Sequence, residues 1–392
     1  MATVDRKSLP PVDPNSLEPS QEEKLRGYAD IAKRSWHGLI DTIEQMHGAI
    51  ASKPYDILVQ LPVIGEPVAL IRAGHEGATR LVYTLVRAGG SAALALTELA
   101  KPTIPGEKSE QHVRAALNGV FGDHLAKADN PLASTMQLVS LPGRNAGAPA
   151  QGEKLCLFVH GLALDESCWK VEADGVDFGE GLAERFGYVP LYLRYNSGLS
   201  LEANGNDFAA LLDILVAEWQ PKELLLIGHS MGGLLIRIAL DLAHRTSQPW
   251  PERVRTAICL GSPQTGAPLE RAGHVVTSIL DAFDVTAPLG TLGNLRSQGI
   301  QDLRHGLGQL LDTNASPADL PHVAYRFLGG NLAGHPNHPF GHVIGDGLVP
   351  INSSTLPMAQ GNVATRMIGS LNHMQLLRNE EVFEQISSWL QP

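Results

Sequence analysis

Cysteine is scarce in this chain. There are three in 392 residues, Cys156, Cys168 and Cys259. The number is odd, and Cys156 and Cys259 fall in apolar runs that read as strands. Buried free thiols in a reducing compartment are expected, not a disulfide framework. No Cys/His spacing matches a zinc site, so no metal is expected. A long basic run is also lacking. Thirty Lys and Arg stand against 41 Asp and Glu, for a formal net charge of −11. Nucleic acids require a basic patch, so a nucleic-acid partner is excluded and an anionic substrate is disfavoured. No long apolar run is uninterrupted either. The most apolar early stretch, Thr79 to Ala100, is broken by Arg87 and the Gly89-Gly90 pair. It reads as a buried helix or helix pair, not a membrane span. The opening MATVDRKSLPPVDPNSLEPSQEEK has charges with no apolar core behind them, so a secretory signal is not expected. A cytoplasmic protein is the expectation, with peripheral lipid-surface contact through residues 50–100 as an alternative. No internal repeat is found.

What is there is a globular composition, 43% hydrophobic and 18% charged, ample for a sizeable core. Residues 1–20 are rich in Pro, Ser and Asp and are expected to be a disordered tail. Residues 21–130 read as a helical extension packed on the core, with no visible chemistry; covering the catalytic domain, mediating assembly or touching a lipid surface are the alternatives. From 131 to 392 strand-like and helix-like runs alternate. The strands are apolar along their whole length, which predicts a mostly parallel sheet covered by helices on both faces: an α/β fold. Asn204 or Asn206 is expected to cap the helix in ANGNDFAALLDILVAEW. The alternation breaks at about 266–320, a helical insertion that returns to the sheet pattern at HVAYRFLGG.

Four short motifs each follow a predicted strand, at the sheet edge where ligands bind in open parallel sheets. In ELLLIGHSMGGLLIRIALDLA, an apolar strand runs into Gly228-His229-Ser230-Met231-Gly232 and straight on into a helix. Such a turn places a serine at its tip, with small flanking residues so that strand and helix pack closely. The helix start puts positive partial charge beside the serine oxygen. Ser230 is the candidate nucleophile, and a purely structural turn is the rival reading. In FVHGL, the backbone N–H of Leu162 is a candidate oxyanion donor, paired with the N–H of Met231. His160 is read as a brace for this loop. In IGDGLVP, Asp346 is the candidate for orienting a histidine, with a turn role as its rival. In GSLNHMQLL, His373 is the candidate general base.

The order Ser230, Asp346, His373 is that of α/β-hydrolases. FVHGL, LLLIGHSMGGLLIR, CLGSPQTGAPLE, GDGLVP and NHMQLL together resemble α/β-hydrolase lipases and esterases, above all the bacterial lipase-like and PGAP-type inositol-deacylase-like group. The resemblance runs from about Leu138 to Leu390. It implies a serine carboxylic-ester hydrolase acting on a small-molecule or lipid ester through an acyl-enzyme, without a cofactor. It leaves open a polyester depolymerase, a phospholipase or an acyltransferase on the same fold. A non-catalytic scaffold built on that fold is the rival from another class, and the oligomeric state is left open. The resemblance also implies that the insertion is a lid. Leu162, Met231, Val275, Val276 and Phe283 are candidate walls of an acyl site.

Other residues receive structural readings. His335, His338 and His342 are assigned to a Gly/Pro-rich surface loop. Trp169 is read as sealing a helix onto the sheet. Asp165 and Glu166 are expected to be solvated or capping carboxylates, and Ser197 and Ser200 turn residues.

Overall fold

The structure, a computed structural model, describes residues 13–24, 26–27, 107–141, 149–171, 175–266, 297–307, 320–333, 345–355 and 362–391. Most of the helical extension and of the expected lid therefore lies outside the described residues. So do Val275, Val276, Phe283, His335, His338 and His342.

The described residues contain a seven-stranded sheet of β1 (Gln137–Val139), β2 (Lys154–Val159), β3 (Tyr188–Arg194), β4 (Glu223–His229), β5 (Val254–Leu260), β6 (Ala324–Asn331) and β7 (Val363–Gly369). Its spatial order is β1-β3-β2-β4-β5-β6-β7. The β1–β3 pair is antiparallel, and every other neighbouring pair is parallel. Side chains alternate between the two faces, as the two-residue period of a strand requires. Leu155, Leu157, Val159, Leu224, Leu226, Ala257 and Cys259 join one apolar cluster. Cys156, Phe158, Leu225, Ile227, Ile258 and Leu260 join the other. Both faces are dry, so these strands carry none of the polar alternation of a half-exposed sheet.

Helices cover the two faces. They are α1 (Glu107–Lys127), α2 (Phe178–Phe186), α3 (Leu201–Trp219), α4 (Met231–Arg245), α5 (Gln298–His305), α6 (Ile351–Thr355) and α7 (Glu380–Leu390). The first cluster takes side chains from α1, α3, α4 and α5, among them Leu117, Phe208, Leu235 and Leu303. The second takes Phe178 and Leu182 of α2 with Val382, Phe383 and Ile386 of α7. Each fully buried Leu, Ile or Phe contributes about 1.5–3 kcal/mol relative to exposure.

Two local expectations are corrected. The cap of α3 is Ser200, whose side chain accepts from the Ala203 N–H. Asn204 and Asn206 sit inside the helix. Asn204 is buried and donates to the Asn196 carbonyl at 2.9 Å, while Asn206 donates to the Glu202 carbonyl at 2.9 Å. A serine three residues before a free N–H is the better-placed acceptor. Glu166 is not solvated. It is 1 % exposed and ion-paired with Arg194, which is 4 % exposed. Asp165 does cap a short 3-10 turn, Glu166–Trp169, by accepting from the Ser167 N–H. Trp169 closes that turn onto the sheet, with its ring centre 4.9 Å from that of Phe158.

Within the stretch read as a disordered tail, Pro14–Leu17 forms a 3-10 turn. Glu18 follows it and accepts from Arg114 at 2.5 Å and Arg194 at 3.2 Å. Cys156 and Cys259 are buried in β2 and β5, and none of the three cysteines forms a disulfide among the described residues. Among the described residues no helix is long and apolar enough to cross a membrane.

Candidate active site

The site is built on the carboxyl ends of β2, β4, β5, β6 and β7. β4 ends at His229 and α4 starts at Met231, so Ser230 alone makes the turn. Its φ is 53° and its ψ −121°, a conformation that costs a non-glycine residue on the order of 1–3 kcal/mol. The surroundings hold it there. Its N–H donates to the Leu260 carbonyl at 2.8 Å, and its own carbonyl accepts from Gly233 at 3.2 Å. The flanking glycines are a steric necessity. A Cβ on Gly228 would lie 2.4 Å from the Gly233 nitrogen, and one on Gly232 would lie 2.3 Å from the Val159 carbonyl oxygen. The turn is therefore wedged between two backbone segments, and Ser230 is 3 % exposed.

Asp346 and His373 come together from loops after β6 and β7. Nδ1 of His373 lies 2.7 Å from Oδ2 of Asp346, with both residues 2 % exposed. The His373 backbone N–H also donates to the Asp346 carbonyl at 3.0 Å. The other carboxylate oxygen, Oδ1, accepts from the N–H groups of Leu348 and Val349 at 3.0 and 2.8 Å. With Oδ1 fixed by two backbone donors, Oδ2 is left to hold the proton on Nδ1. Nε2 is then the open nitrogen, and it has no hydrogen-bond partner among the described residues.

This pair adjoins the serine turn. A Cβ on Gly261, the residue after Leu260, would lie 3.0 Å from Asp346 Oδ2 and 3.1 Å from His373 Cε1. The Leu260–Gly261 step thus touches Ser230 on one side and the Asp346–His373 pair on the other. His229, next to Ser230, packs against the ring of His373 at 4.5 Å between centres.

The loop after β2 closes the other side. A Cβ on Gly161 would lie 3.0 Å from Ser230 Cβ, so Gly161 and Leu162 run directly beside the serine. The N–H groups of Leu162 and Met231 make no hydrogen bond among the described residues. For Met231 this is the ordinary condition of a first-turn helix N–H. His160 is packed into this loop, and its Nε2 has no hydrogen-bond partner among the described residues. It is fully buried, its Nδ1 lies 2.9 Å from the Gly161 carbonyl, and its ring stacks on Tyr195 at 4.3 Å. Burial holds its pKa down at about 4, so the ring is neutral. Burial, with the neighbouring His373, likewise drives His229 well below the ordinary imidazole value. Among the described residues, no group of three or more His, Cys, Asp or Glu side chains is placed to hold a metal ion.

Every site residue named from the sequence that the structure describes lies at this edge. Sequence reading missed two contributors. It took Ser197 for a turn residue, yet the Ser197 hydroxyl accepts from the Ala163 N–H at 3.0 Å. It expected the helical extension to pack on the core, as α1 does, but not that α1 would meet the Leu162–Leu164 loop. A Cβ on Gly119 would lie 2.5 Å from the α-carbon of Ala163. No local pattern marks either contact, because each closes between segments far apart in the chain.

A mostly parallel sheet with an antiparallel first strand, a serine at a strand–helix elbow after a central strand, and an Asp–His pair from the loops after β6 and β7 define the α/β-hydrolase fold. Within it, residues 208–288, which include β4, the elbow and β5, match the family described as the PGAP1-like alpha/beta domain. A search of curated proteins found no match. Among solved structures, a Bacillus licheniformis lipase in its mature form aligns at 21% identity and a TM-score of 0.43, over 66% of this chain and 98% of that one. A lipase-esterase related protein of Clostridium acetobutylicum aligns at 16% identity and 0.42, over 65% of this chain and 100% of that one. A thermophilic esterase from Thermogutta terrifontis aligns at 16% identity and 0.39, over 66% of this chain and 92% of that one.

Proposed function

We propose that the protein is a serine hydrolase of carboxylic esters with hydrophobic acyl groups. The observation that carries this reading is the buried Asp346–His373 pair, 2.7 Å between Oδ2 and Nδ1, set beside the strained Ser230 elbow. Ser230 Oγ attacks the ester carbonyl carbon and its proton passes to Nε2 of His373. Asp346 keeps the imidazole in the tautomer whose Nε2 accepts, and stabilises the imidazolium that forms. The negative charge on the former carbonyl oxygen is met by the N–H groups of Leu162 and Met231 and by the start of α4. The intermediate collapses to an acyl-serine, and the leaving alcohol takes the proton from His373. Water, deprotonated by His373, then releases the acid and restores Ser230. Each proton given up is returned, so no cofactor takes part.

The surrounding walls suit an acyl chain, since Leu162 and Met231 are fully buried and apolar. With Ser230 3 % exposed, an ester reaches the site after covering elements move. The net charge of −11 favours neutral esters over anionic ones. In the cell we place the protein in the cytoplasm, acting on a small-molecule or lipid ester.

Hydrolysis of a p-nitrophenyl ester series, from short to long acyl chains, tests the reading against Ser230→Ala. Wild-type turnover should be lost in the variant by on the order of 10⁴-fold or more. Turnover that survives the substitution unchanged sinks the proposal.

A further inference from the structure

From the geometry we infer that Ser197, together with Gly119 of α1, is a positioning residue for the oxyanion hole; this rests on the ester-hydrolase reading above. The donor on this side is the Leu162 N–H, which lies in the Gly161–Leu162 peptide plane and is anchored on its far side by the Leu162–Ala163 peptide. The next residue, Ala163, is a non-glycine in the left-handed region with φ 58°. Left to itself this backbone would relax toward negative φ, because a Cβ makes the left-handed conformation costly. Such relaxation would rotate the neighbouring peptides and turn the Leu162 N–H away from the serine.

Two contacts meet at the Ala163 nitrogen and hold it. The Ser197 hydroxyl accepts its proton at 3.0 Å. Gly119 presses from above, so closely that a Cβ there would fall 2.7 Å from that nitrogen and 2.5 Å from the α-carbon. Ser197 is 1 % exposed and Ala163 also 1 %, so water does not compete for the bond.

The clamp has its own support. The Asn196 side chain donates to the Gly122 carbonyl of α1 at 2.8 Å. The Ser297 hydroxyl, at the start of α5, donates to the Gly119 carbonyl at 2.6 Å. Gly299 of α5 donates to the Gly198 carbonyl at 3.1 Å, and a Cβ on Gly299 would lie 3.2 Å from the Met231 methyl. One packed assembly of α1, the 196–198 turn and α5 thus meets the Ala163 backbone and the Met231 side chain. Two of its three parts lie outside the sheet-and-helix pattern that carries the nucleophile.

The test compares wild type, Ser197→Ala, Ser197→Thr and Gly119→Ala, with Ser230→Ala as the chemical blank. Read-outs are kcat and KM on one p-nitrophenyl ester and the inhibition constant of phenylboronic acid, whose serine adduct is a tetrahedral anion. An oxyanion-positioning role predicts that Ser197→Ala lowers kcat about tenfold and weakens the boronate to a similar degree while KM stays within about twofold. Ser197→Thr, which keeps the hydroxyl, should recover most of both, and Gly119→Ala should repeat the loss. The inference is overturned if Ser197→Ala keeps kcat and boronate affinity, or if KM alone rises. It is also overturned if the loss appears only near the unfolding temperature. Failure of the ester-hydrolase reading shows separately, as wild-type turnover no greater than that of Ser230→Ala; that result removes both.

Discussion

The ring of His229 sits 4.5 Å from the ring of His373, centre to centre, and its Nε2 lies 3.0 Å from the His373 backbone carbonyl. A carbonyl only accepts, so Nε2 of His229 carries a proton. Burial, with the neighbouring His373, holds the ring well below the ordinary imidazole value and so favours its neutral form. The residue before the proposed nucleophile therefore holds the loop of the proposed base. His229→Phe keeps a flat ring but loses the donor. It should lower kcat by about tenfold or more by letting His373 drift from its proton-transfer position, with the fold intact by circular dichroism. Unchanged kcat would mean that the Asp346 contacts alone fix His373.

Gly261 offers a second, steric test of the same pair. Its φ is +58°, and a Cβ there would meet Leu376 Cδ1 at 2.7 Å as well as Asp346 Oδ2 and His373 Cε1. Gly261→Ala is expected to push the Asp–His pair out of register. It should cut kcat/KM by about 100-fold, at least as much as a 1 Å misplacement near the chemistry does. A crystal structure of the variant with the 2.7 Å contact preserved, and full activity, would contradict this.

The buried imidazoles set a pH limit on stability. His160 is held neutral down to about pH 4 and His229 well below its ordinary value. In the unfolded chain each takes up a proton near pH 6.5, so between about 6.5 and 4 the unfolded state binds protons that the folded state refuses. Folded-state stability should therefore fall as pH drops through this window, by up to about 1.4 kcal/mol per pH unit for each imidazole. Above the window these groups leave stability unchanged. Urea unfolding across this range should show a shallower slope in His160→Asn than in wild type. Equal slopes would assign the acid sensitivity to other groups.

Glu166 should prove a stability residue. It accepts from Nε of Arg194 at 3.0 and 3.1 Å and also contacts Nη2. Glu166→Ala removes one partner of a buried pair and is expected to cost about 3 kcal/mol, seen as a lower urea midpoint. Replacing both partners with apolar residues should cost less, because no buried charge is then left behind. A single variant as stable as wild type would show that Glu18 compensates fully.

Features written in short stretches of sequence were legible, and features made by chain closure were not. The run ELLLIG, with GHSMGG behind it, sets strand, turn and helix locally, so β4, Ser230 and α4 could be placed by reading alone. Asp346 and His373 were legible because each follows a strand in the order the fold requires. Their mutual distance was not written anywhere in the sequence. Glu166 misled because a carboxylate in a loop looks solvated until Arg194 is brought beside it by the parallel pairing of β2 with β3. Ser200 was overlooked as a cap because asparagine and serine are comparably favoured there, and only the backbone decides which residue faces the free N–H. Ser197 and Gly119 had no signal, since a serine hydroxyl and a missing Cβ acquire meaning only against Ala163.

Glu18 accepts from Arg114 of α1 and from Arg194 of β3, so a single carboxylate ties the start of the chain to the sheet. Recombination that spliced residues 131–392 behind a foreign leader would carry Arg194 away from that carboxylate and Ala163 away from Gly119. Such a hybrid gene would encode the intact signature GHSMG and a poorer protein. The two segments are therefore one packed unit, and neither meets its partners unless both are present.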